Sequence, residues 1–338
     1  MRYREENLSF PFMWKIGNID IDGVAVLAPM AGITSYGYRD FMKPFGVAVS
    51  VSEMVSDMGL IYDNENTNKY VIYPESHPTG VQLFGHDPET IAKAALLALK
   101  LNPNIDFFDV NMGCPVPKVV NTGAGSALMK NPSLCGQIIR RLKETVSIPI
   151  TAKIRLGWDE HSINYLEVIE ELENAGVDMI AIHARTRKQM YMGEPRYDLL
   201  EGLRSKMKVP LVISGNIYTL DDAIKAKKIT GADAVMVARG GVGNPFLIKQ
   251  IDHYFKTGER LDNPSINEQI DYCLSLADHF IEEKGEVVAM RVFRGIGSKF
   301  FSGFKNAKYY KNRLSTELTT RESLVRILED IKWEILGL

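Results

Sequence analysis

Eight short apolar runs, each about the length of a β-strand, recur between Val24 and Gly241, and most are followed by a segment with helical spacing. They are VAVLAPMA (24–31), VAVSVSEM (47–54), PTGVQLFG (78–85), DFFDVNMG (106–113), PITAKIRL (149–156), MIAIHART (179–186), PLVISGNI (210–217) and AVMVARGG (234–241). Strand and crossover helix repeated in this way build a parallel sheet. Eight units in a little over roughly two hundred residues match a closed (β/α)8 barrel of the α/β class, a fold of ~250 residues. An open doubly wound sheet would usually show GxGxxG after its first strand, and APMAGITSYG (28–37) is not that motif.

The barrel is expected over residues 1–255. After Phe255 the strand runs stop, and KTGERLDNP (256–264) reads as a charged, turn-rich linker. In residues 265–338, INEQIDYCLSLADHFIEE and ESLVRILEDIKWEIL carry apolar residues three and four apart, the pattern of a small all-helical domain. With 45% hydrophobic residues in 338, the chain can bury a full core. The start, MRYREENLSFPFMWK, lacks the apolar segment of a secretion signal, and no stretch nears ~18 apolar residues. A cytoplasmic protein without membrane contact is expected, and a monomer. Cys114, Cys135 and Cys273 are odd in number and lack CxxC spacing, so reduced thiols and no metal are expected. A net charge of −2 confines any nucleic-acid binding to a local patch.

Barrel enzymes carry their chemistry at the C-terminal ends of the strands. There this chain places Gln82, then Asp109 and Asn111 on one face of the next strand, then Lys153, Arg155, His183 and Arg185, with Cys114 just beyond the strand of Asn111. Each alone could sit in a satisfied core network; their shared location points to a site. SGNI (214–217) and ARGGVGNP (238–245) follow the last two strands, where many barrels bind phosphate through backbone N–H groups. Gly215, Gly240, Gly241 and Gly243 permit that approach, and Arg239 adds charge; tight βα turns would use the same glycines. Residues 287–316 contain seven Lys/Arg and no Asp/Glu, interleaved with aromatics. The basic groups can hold phosphates, while the aromatics fit better as the core of the small domain.

APMAGIT (28–34), VQLFG (81–85), DVNMGCPVPKV (109–119), GAGSALM (123–129), TAKIRLGW (151–158), IHARTR (182–187) and VARGGVGNP (237–245) run in order through the barrel. Together they resemble the tRNA-dihydrouridine synthases, particularly a bacterial branch. The resemblance implies an enzyme that reduces the C5–C6 double bond of particular uridines in tRNA, with bound FMN recharged by NADPH. By motif, Pro29, Met30 and Ala31 would line the isoalloxazine, with Gln82 and Lys153 at its polar edge. His183, Ser214, Gly215, Asn216, Ala238 and Arg239 would serve the ribityl phosphate. Asn111 and Arg155 resemble the uracil-reading residues, Cys114 the proton donor. Arg185, Arg187, Arg291, Arg294 and Lys305 are the further expected tRNA contacts. Two departures stand out: Ser214-Gly215-Asn216 replaces the common Asn-Gly-Asp, and Ala238 replaces a common glycine. Backbone donors survive both.

The chemistry agrees with these residue types. Hydride addition from flavin N5 to uracil C6 leaves enolate-like charge that a proton must quench at C5. A thiol with an ordinary pKa near ~8.5 is still protonated at neutral pH, whereas a carboxyl is not. Gly113 permits a sharp exit from the strand, and Pro115 and Pro117 restrict the following loop. Lys153 would stabilise negative charge on reduced flavin; a Schiff-base lysine is the competing use. A barrel reductase of a free pyrimidine, or a non-catalytic tRNA-binding protein, would share part of this pattern.

Overall fold

The computed structural model describes residues 13–72 and 78–337; residues 1–12, where no secretion signal is read, lie outside the described part, as do 73–77 and 338. The chain opens with an antiparallel hairpin of β1 (Met13–Ile16) and β2 (Ile19–Asp22). The barrel follows: β3 (Ala25–Leu27), β4 (Val49–Ser56), β5 (Thr79–Phe84), β6 (Phe107–Asn111), β7 (Ile150–Arg155), β8 (Met179–His183), β9 (Leu211–Ser214) and β10 (Ala234–Val237). Neighbours pair in parallel in chain order, and β10 closes onto β3. All eight apolar runs become barrel strands. Pro78, Pro149 and Pro210 stand directly before β5, β7 and β9, where a missing N–H costs the ladder nothing.

Side chains alternate across a strand, so register decides what stacks inside the barrel. At the bottom lie Val49, Phe107, Met179, Val212 and Ala234, an apolar layer. Gly80 makes room for it, because a Cβ there would lie 2.2 Å from the Phe107 ring. One step up, Gln82 pairs with Asp109 and Asp109 with Thr151. A further step brings Asn111 level with Lys153, and His183 level with Ser214. The interior therefore passes from apolar to polar toward the strands' C-terminal ends. The hairpin, for which the sequence pattern gives no sign, plugs the opposite mouth: Trp14, Ile16 and Ile21 are buried in the apolar layer, and Trp14 Nε1 donates to Gly23 O at 2.9 Å.

Helices cover most crossovers, for example Pro88–Leu101, Pro132–Thr145 and Leu220–Thr230. After β8 there is none. Two 3₁₀ turns, Tyr197–Leu200 and Leu203–Lys206, take its place, with Leu200 and Leu203 buried in the core. The helix Phe246–Thr257 runs past the expected end of the barrel and stops at Gly258 in the left-handed region, so the linker is 258–265 instead of 256–264. The C-terminal part consists of helices Ile266–Lys284, Glu286–Phe293, Ala307–Thr316 and Arg321–Leu336, joined in part by a 3₁₀ turn at Gly297–Phe301. Phe293, Phe300, Phe301 and Tyr310 form its core, as the sequence favoured. It packs on the helix Tyr36–Met42, where Gly37 is obligatory: a Cβ would lie 2.8 Å from His279 O. Among the described residues no helix is long and apolar enough to cross a membrane.

Because Trp14 fills the barrel mouth as one large buried side chain, Trp14→Ala should destabilise the protein by about 3–5 kcal/mol. Urea unfolding followed by circular dichroism measures this; a midpoint unchanged from wild type would show that the hairpin is not part of the core.

Candidate active site

A cavity of about 400 Å³ opens at the C-terminal ends of the strands, walled by residues that include Met30, Asn111, Cys114, Lys153, His183 and Arg239. Pro29, Ala31, Ser214, Gly215, Asn216 and Ala238 also line it, so most of the expected cofactor residues converge. Gln82 does not line it. It is fully buried beneath the floor, its Nε2 donating to Asp109 Oδ2 at 2.6 Å and its Oε1 accepting from Asn111 Nδ2 at 2.8 Å. Both ends of its amide are thus engaged by Asp109 and Asn111.

Asn111 is the link from that floor to the thiol. Its Oδ1 accepts from Gly113 N at 3.2 Å and Cys114 N at 2.9 Å, while Nδ2 reaches Gln82 and Met54 Sδ. The side chain expected to read uracil is therefore occupied in shaping the turn that carries Cys114. From behind, Ser126 donates to Cys114 O through its N–H at 3.1 Å and its hydroxyl at 2.9 Å. Gly125 sits at φ +61, and a Cβ there would lie 2.9 Å from the same carbonyl. The GAGS motif is thus the backing of the cysteine loop.

Among the described residues no Asp or Glu lines the cavity. Lys153 Nζ makes no hydrogen bond or ion pair among the described residues. Burial and then Arg155 push its pKa down to about 8, with Asp109 and Cys114 opposing. Burial holds His183 well below its usual range, reinforced by Arg155, Lys153, Arg185 and Arg239, so the ring is neutral. Its Nε2 lies 3.2 Å from Arg185 Nη1. A guanidinium only donates, so Nε2 accepts and the ring proton is on Nδ1. Burial also pushes the Cys114 thiol up, and the Val116 N–H, Arg155 and Lys153 only partly oppose it. The group stays protonated at neutral pH.

Arg155 and Arg185 are buried, and neither forms an ion pair among the described residues. Arg155 donates to Gly113 O (2.7 Å), Thr186 O (2.9 Å) and Met190 O (2.8 Å). Arg185 donates to Met192 O at 3.1 Å, to Gly193 O and to Asn216 Oδ1 at 2.9 Å. Both charges expected at the substrate are engaged in holding the loop after β8 and the Cys114 turn. That loop presents Tyr191 to the cavity, a residue that sequence reasoning misses. Its signal, an aromatic between two methionines in QMYMG (189–193), is weak without the fold.

The loops after β9 and β10 touch backbone to backbone, since a Cβ on Gly240 would lie 1.9 Å from Ile217 O. Asn216 adopts φ +47, which asparagine tolerates, and its Oδ1 also meets Arg239 Nη2 at 3.4 Å. The remaining expected tRNA contacts are scattered. Arg187 stacks over Trp158, 4.6 Å from its ring centre, outside the cavity lining. Arg291 and Lys305 are exposed on the helical domain, while half-buried Arg294 donates to Leu318 O at 2.8 Å and thereby ties two segments of that domain together.

Fold and site together define a (β/α)8-barrel enzyme with a thiol facing a carboxylate-free cavity. Residues 26–335 match the dihydrouridine synthase (Dus) family, and the chain belongs to that family. It is 35% identical over 324 residues to the "Probable tRNA-dihydrouridine synthase" of Rickettsia conorii, covering 94% of this chain and 97% of that one. It is 34% identical to "tRNA-dihydrouridine synthase B" of Shewanella oneidensis, covering 80% and 85%. Among solved structures, histamine dehydrogenase from Rhizobium sp. 4-9 superposes with a TM-score of 0.55 at 14% identity, covering 81% of this chain and 51% of that one, a likeness of fold.

Cys135 and Cys273 are fully buried, so iodoacetamide should modify Cys114 alone in the folded protein. Only the thiolate reacts, and a raised pKa lowers the thiolate fraction, so modification should be slow at pH 7 and climb with pH beyond the ordinary thiol range. Lys153→Met removes a cation that favours the thiolate and should slow it further. Fast modification at pH 7 with no rise above it would contradict this assignment.

Proposed function

We propose that this synthase converts uridines of tRNA to 5,6-dihydrouridine with bound FMN and with NADPH as reductant, Cys114 being the acid that protonates C5. The observation that carries the reading is a neutral thiol held by its own loop over a cavity whose charged walls are all cationic. The residues fit an anionic flat cofactor. Lys153 offers an ammonium with no partner among the described residues, His183 an Nδ1–H, and the touching loops after β9 and β10 a backbone cradle free of carboxylates. Pro29, Met30, Ala31, Lys153, His183, Ser214, Gly215, Asn216, Ala238 and Arg239 would hold FMN. When bound, FMN supplies the hydride that uracil C6 receives.

The chain's own residues then do the rest. Cys114 gives its proton to C5, and the rising negative charge on the thiolate is met by Lys153 and Arg155, the two cations that already favour it. Asn111 keeps the turn in place through both N–H groups while this happens. Solvent returns the proton to sulfur before the next turnover. To reach the cavity, the uridine must turn out of the folded tRNA, as bases do for enzymes that act on their ring atoms.

The purified protein should carry FMN, and Cys114→Ala should retain it. Dihydrouridine formed from unmodified tRNA in a single turnover should slow by about 10²- to 10⁴-fold in that variant, the usual share of a positioned acid. A wild-type rate would refute the acid role; loss of FMN would make Cys114 a packing residue. On the helical domain, Arg291→Glu with Lys305→Glu alters exposed groups only. For every phosphate that these side chains no longer neutralise, the logarithmic salt slope of tRNA binding should fall by roughly 0.7–0.9. Unaltered affinity and slope would place the tRNA elsewhere.

A further inference from the structure

We infer that a second cavity, between the barrel and the helical domain, takes the adenosine 2′-phosphate end of NADPH, with Lys299 as the residue that reads the 2′-phosphate. The inference rests on the proposed reaction and on NADPH as its reductant. The cavity measures about 850 Å³, a size that suits a small-molecule site. It shares Ile33, Tyr218, Arg239 and Gly240 with the first cavity, so one elongated molecule can lie in both.

The space is bordered by a close contact. Gly243 sits at φ +76, and a Cβ there would lie 2.4 Å from Lys299 C, so the loop after β10 and the turn Gly297–Phe301 meet backbone to backbone. Gln269, on the helix Ile266–Lys284, pins both: its Nε2 donates to Gly243 O at 2.7 Å and to Phe300 O at 2.9 Å. All of these residues line the cavity, so the surfaces part directly beside their tightest contact. A void there forfeits packing on every wall unless a ligand fills it.

The walls select the ligand. Among the described residues no Asp or Glu lines this cavity, and its charged groups are Arg239 and Lys299. Lys299 is exposed, and its Nζ makes no hydrogen bond or ion pair among the described residues. A lysine ammonium near a guanidinium suits a phosphate, and a cation beside the ribose is what separates NADPH from NADH. Tyr218, 5.7 Å from Arg239 Cζ, and partly buried Phe304 offer flat apolar surface to a base. Because both partners of Gln269 Nε2 are carbonyls, the orientation of that amide is fixed, and its buried Oε1 is left without a partner. An adenine amino group is a donor of the kind that this wall lacks. Arg291 and Lys305, the exposed groups proposed to meet tRNA, do not line the cavity, which leaves it to the smaller substrate.

The test compares the FMN-loaded protein with its Lys299→Ala variant, which removes one exposed side chain. In titration calorimetry, adenosine 2′,5′-bisphosphate should bind wild type and lose about 5- to 20-fold in the variant, the worth of one exposed charge-assisted hydrogen bond, while 5′-AMP binds both alike. In stopped flow without tRNA, the NADPH concentration that gives half the limiting rate of flavin reduction should rise by the same factor. The value for NADH should stay within about twofold, and the limiting rates should not change. A bisphosphate that ignores wild type, or binds the variant as tightly, would overturn the inference. Equal losses for NADPH and NADH would do the same, as would a variant that loses tRNA affinity but keeps its NADPH dependence, since the cavity would then belong to RNA. A wild-type flavin that neither nicotinamide reduces would overturn the proposed reaction as well.

Discussion

Asp109 lies at the height where the barrel interior turns from apolar to polar, and both its oxygens are claimed: Thr151 Oγ1 donates at 2.6 Å and Gln82 Nε2 at 2.6 Å. Burial alone pushes its carboxyl up, and these two hydrogen bonds and Lys153 oppose that. The consequence runs upward. With its Nε2 committed to Asp109, Gln82 can only present its carbonyl oxygen to the next residue, so Asn111 must turn its amide nitrogen downward and its oxygen toward the Cys114 turn. One buried acceptor thereby sets the orientation of two amides and the position of the thiol. Such a chain is worth more than its separate bonds, because breaking one member leaves the others buried and unsatisfied, at roughly 1–3 kcal/mol each.

Above that floor the electrostatics are one-sided. Lys153, Arg155, Arg185 and Arg239 all lower the basicity of His183, and among the described residues no carboxylate lines the cavity to balance them. Arg155 and Arg185 are held by backbone carbonyls, which occupy their hydrogens without cancelling their charge, whereas Arg239 meets only Asn216 Oδ1 at 3.4 Å. The cavity keeps a positive potential while the guanidinium groups of Arg155 and Arg185 stay fixed. For Cys114, burial outweighs Arg155 and Lys153, so the thiol stays protonated at rest, while these two cations are the ones that favour a thiolate there. A carboxylate at the wall would have protected the Lys153 charge and opposed that outcome.

The strands and the C-terminal ends that bear chemistry were legible because both depend on local pattern: apolar runs of strand length, and polar residues at their ends. The plug was not, since MWKI and IDID are too short and too mixed to stand out from a leader segment. The crossover after β8 was regular only by analogy; 3₁₀ turns leave no helical period to read. The largest gap concerns Arg155, Arg185 and Gln82. Sequence shows that a donor exists but not which acceptor it finds, and backbone carbonyls carry no residue-type signature. For the same reason Tyr191 was invisible: its place at the cavity follows from what holds its loop. By contrast, most aromatics of 287–316 were rightly favoured as core: Phe293, Phe300, Phe301 and Tyr310 are buried, while Tyr309 is exposed.

The loop Pro29–Ser35 shows how the two parts of the chain share one wall of the cavity. On the barrel side Gly32 N donates to Glu53 Oε2 at 2.7 Å, and Thr34 Oγ1 accepts from Met30 N at 2.7 Å, curling the loop so that Met30 faces the cavity. On the other side Ser35 Oγ donates to Glu283 Oε2 at 2.7 Å, and Gly37 N donates to the same oxygen at 3.1 Å. Lys284 completes the contact, 2.9 Å from Ser35 Oγ. Both Glu283 and Lys284 belong to the last turn of the helix Ile266–Lys284, the first element of the helical domain. A tilt of that helix therefore cannot occur without pulling on Ser35, which belongs to the same hydrogen-bonded turn system as Met30. With no room for a Cβ at Gly37 the two surfaces meet closely, and the cavity wall at Met30 is built jointly by the barrel and the helices packed against it.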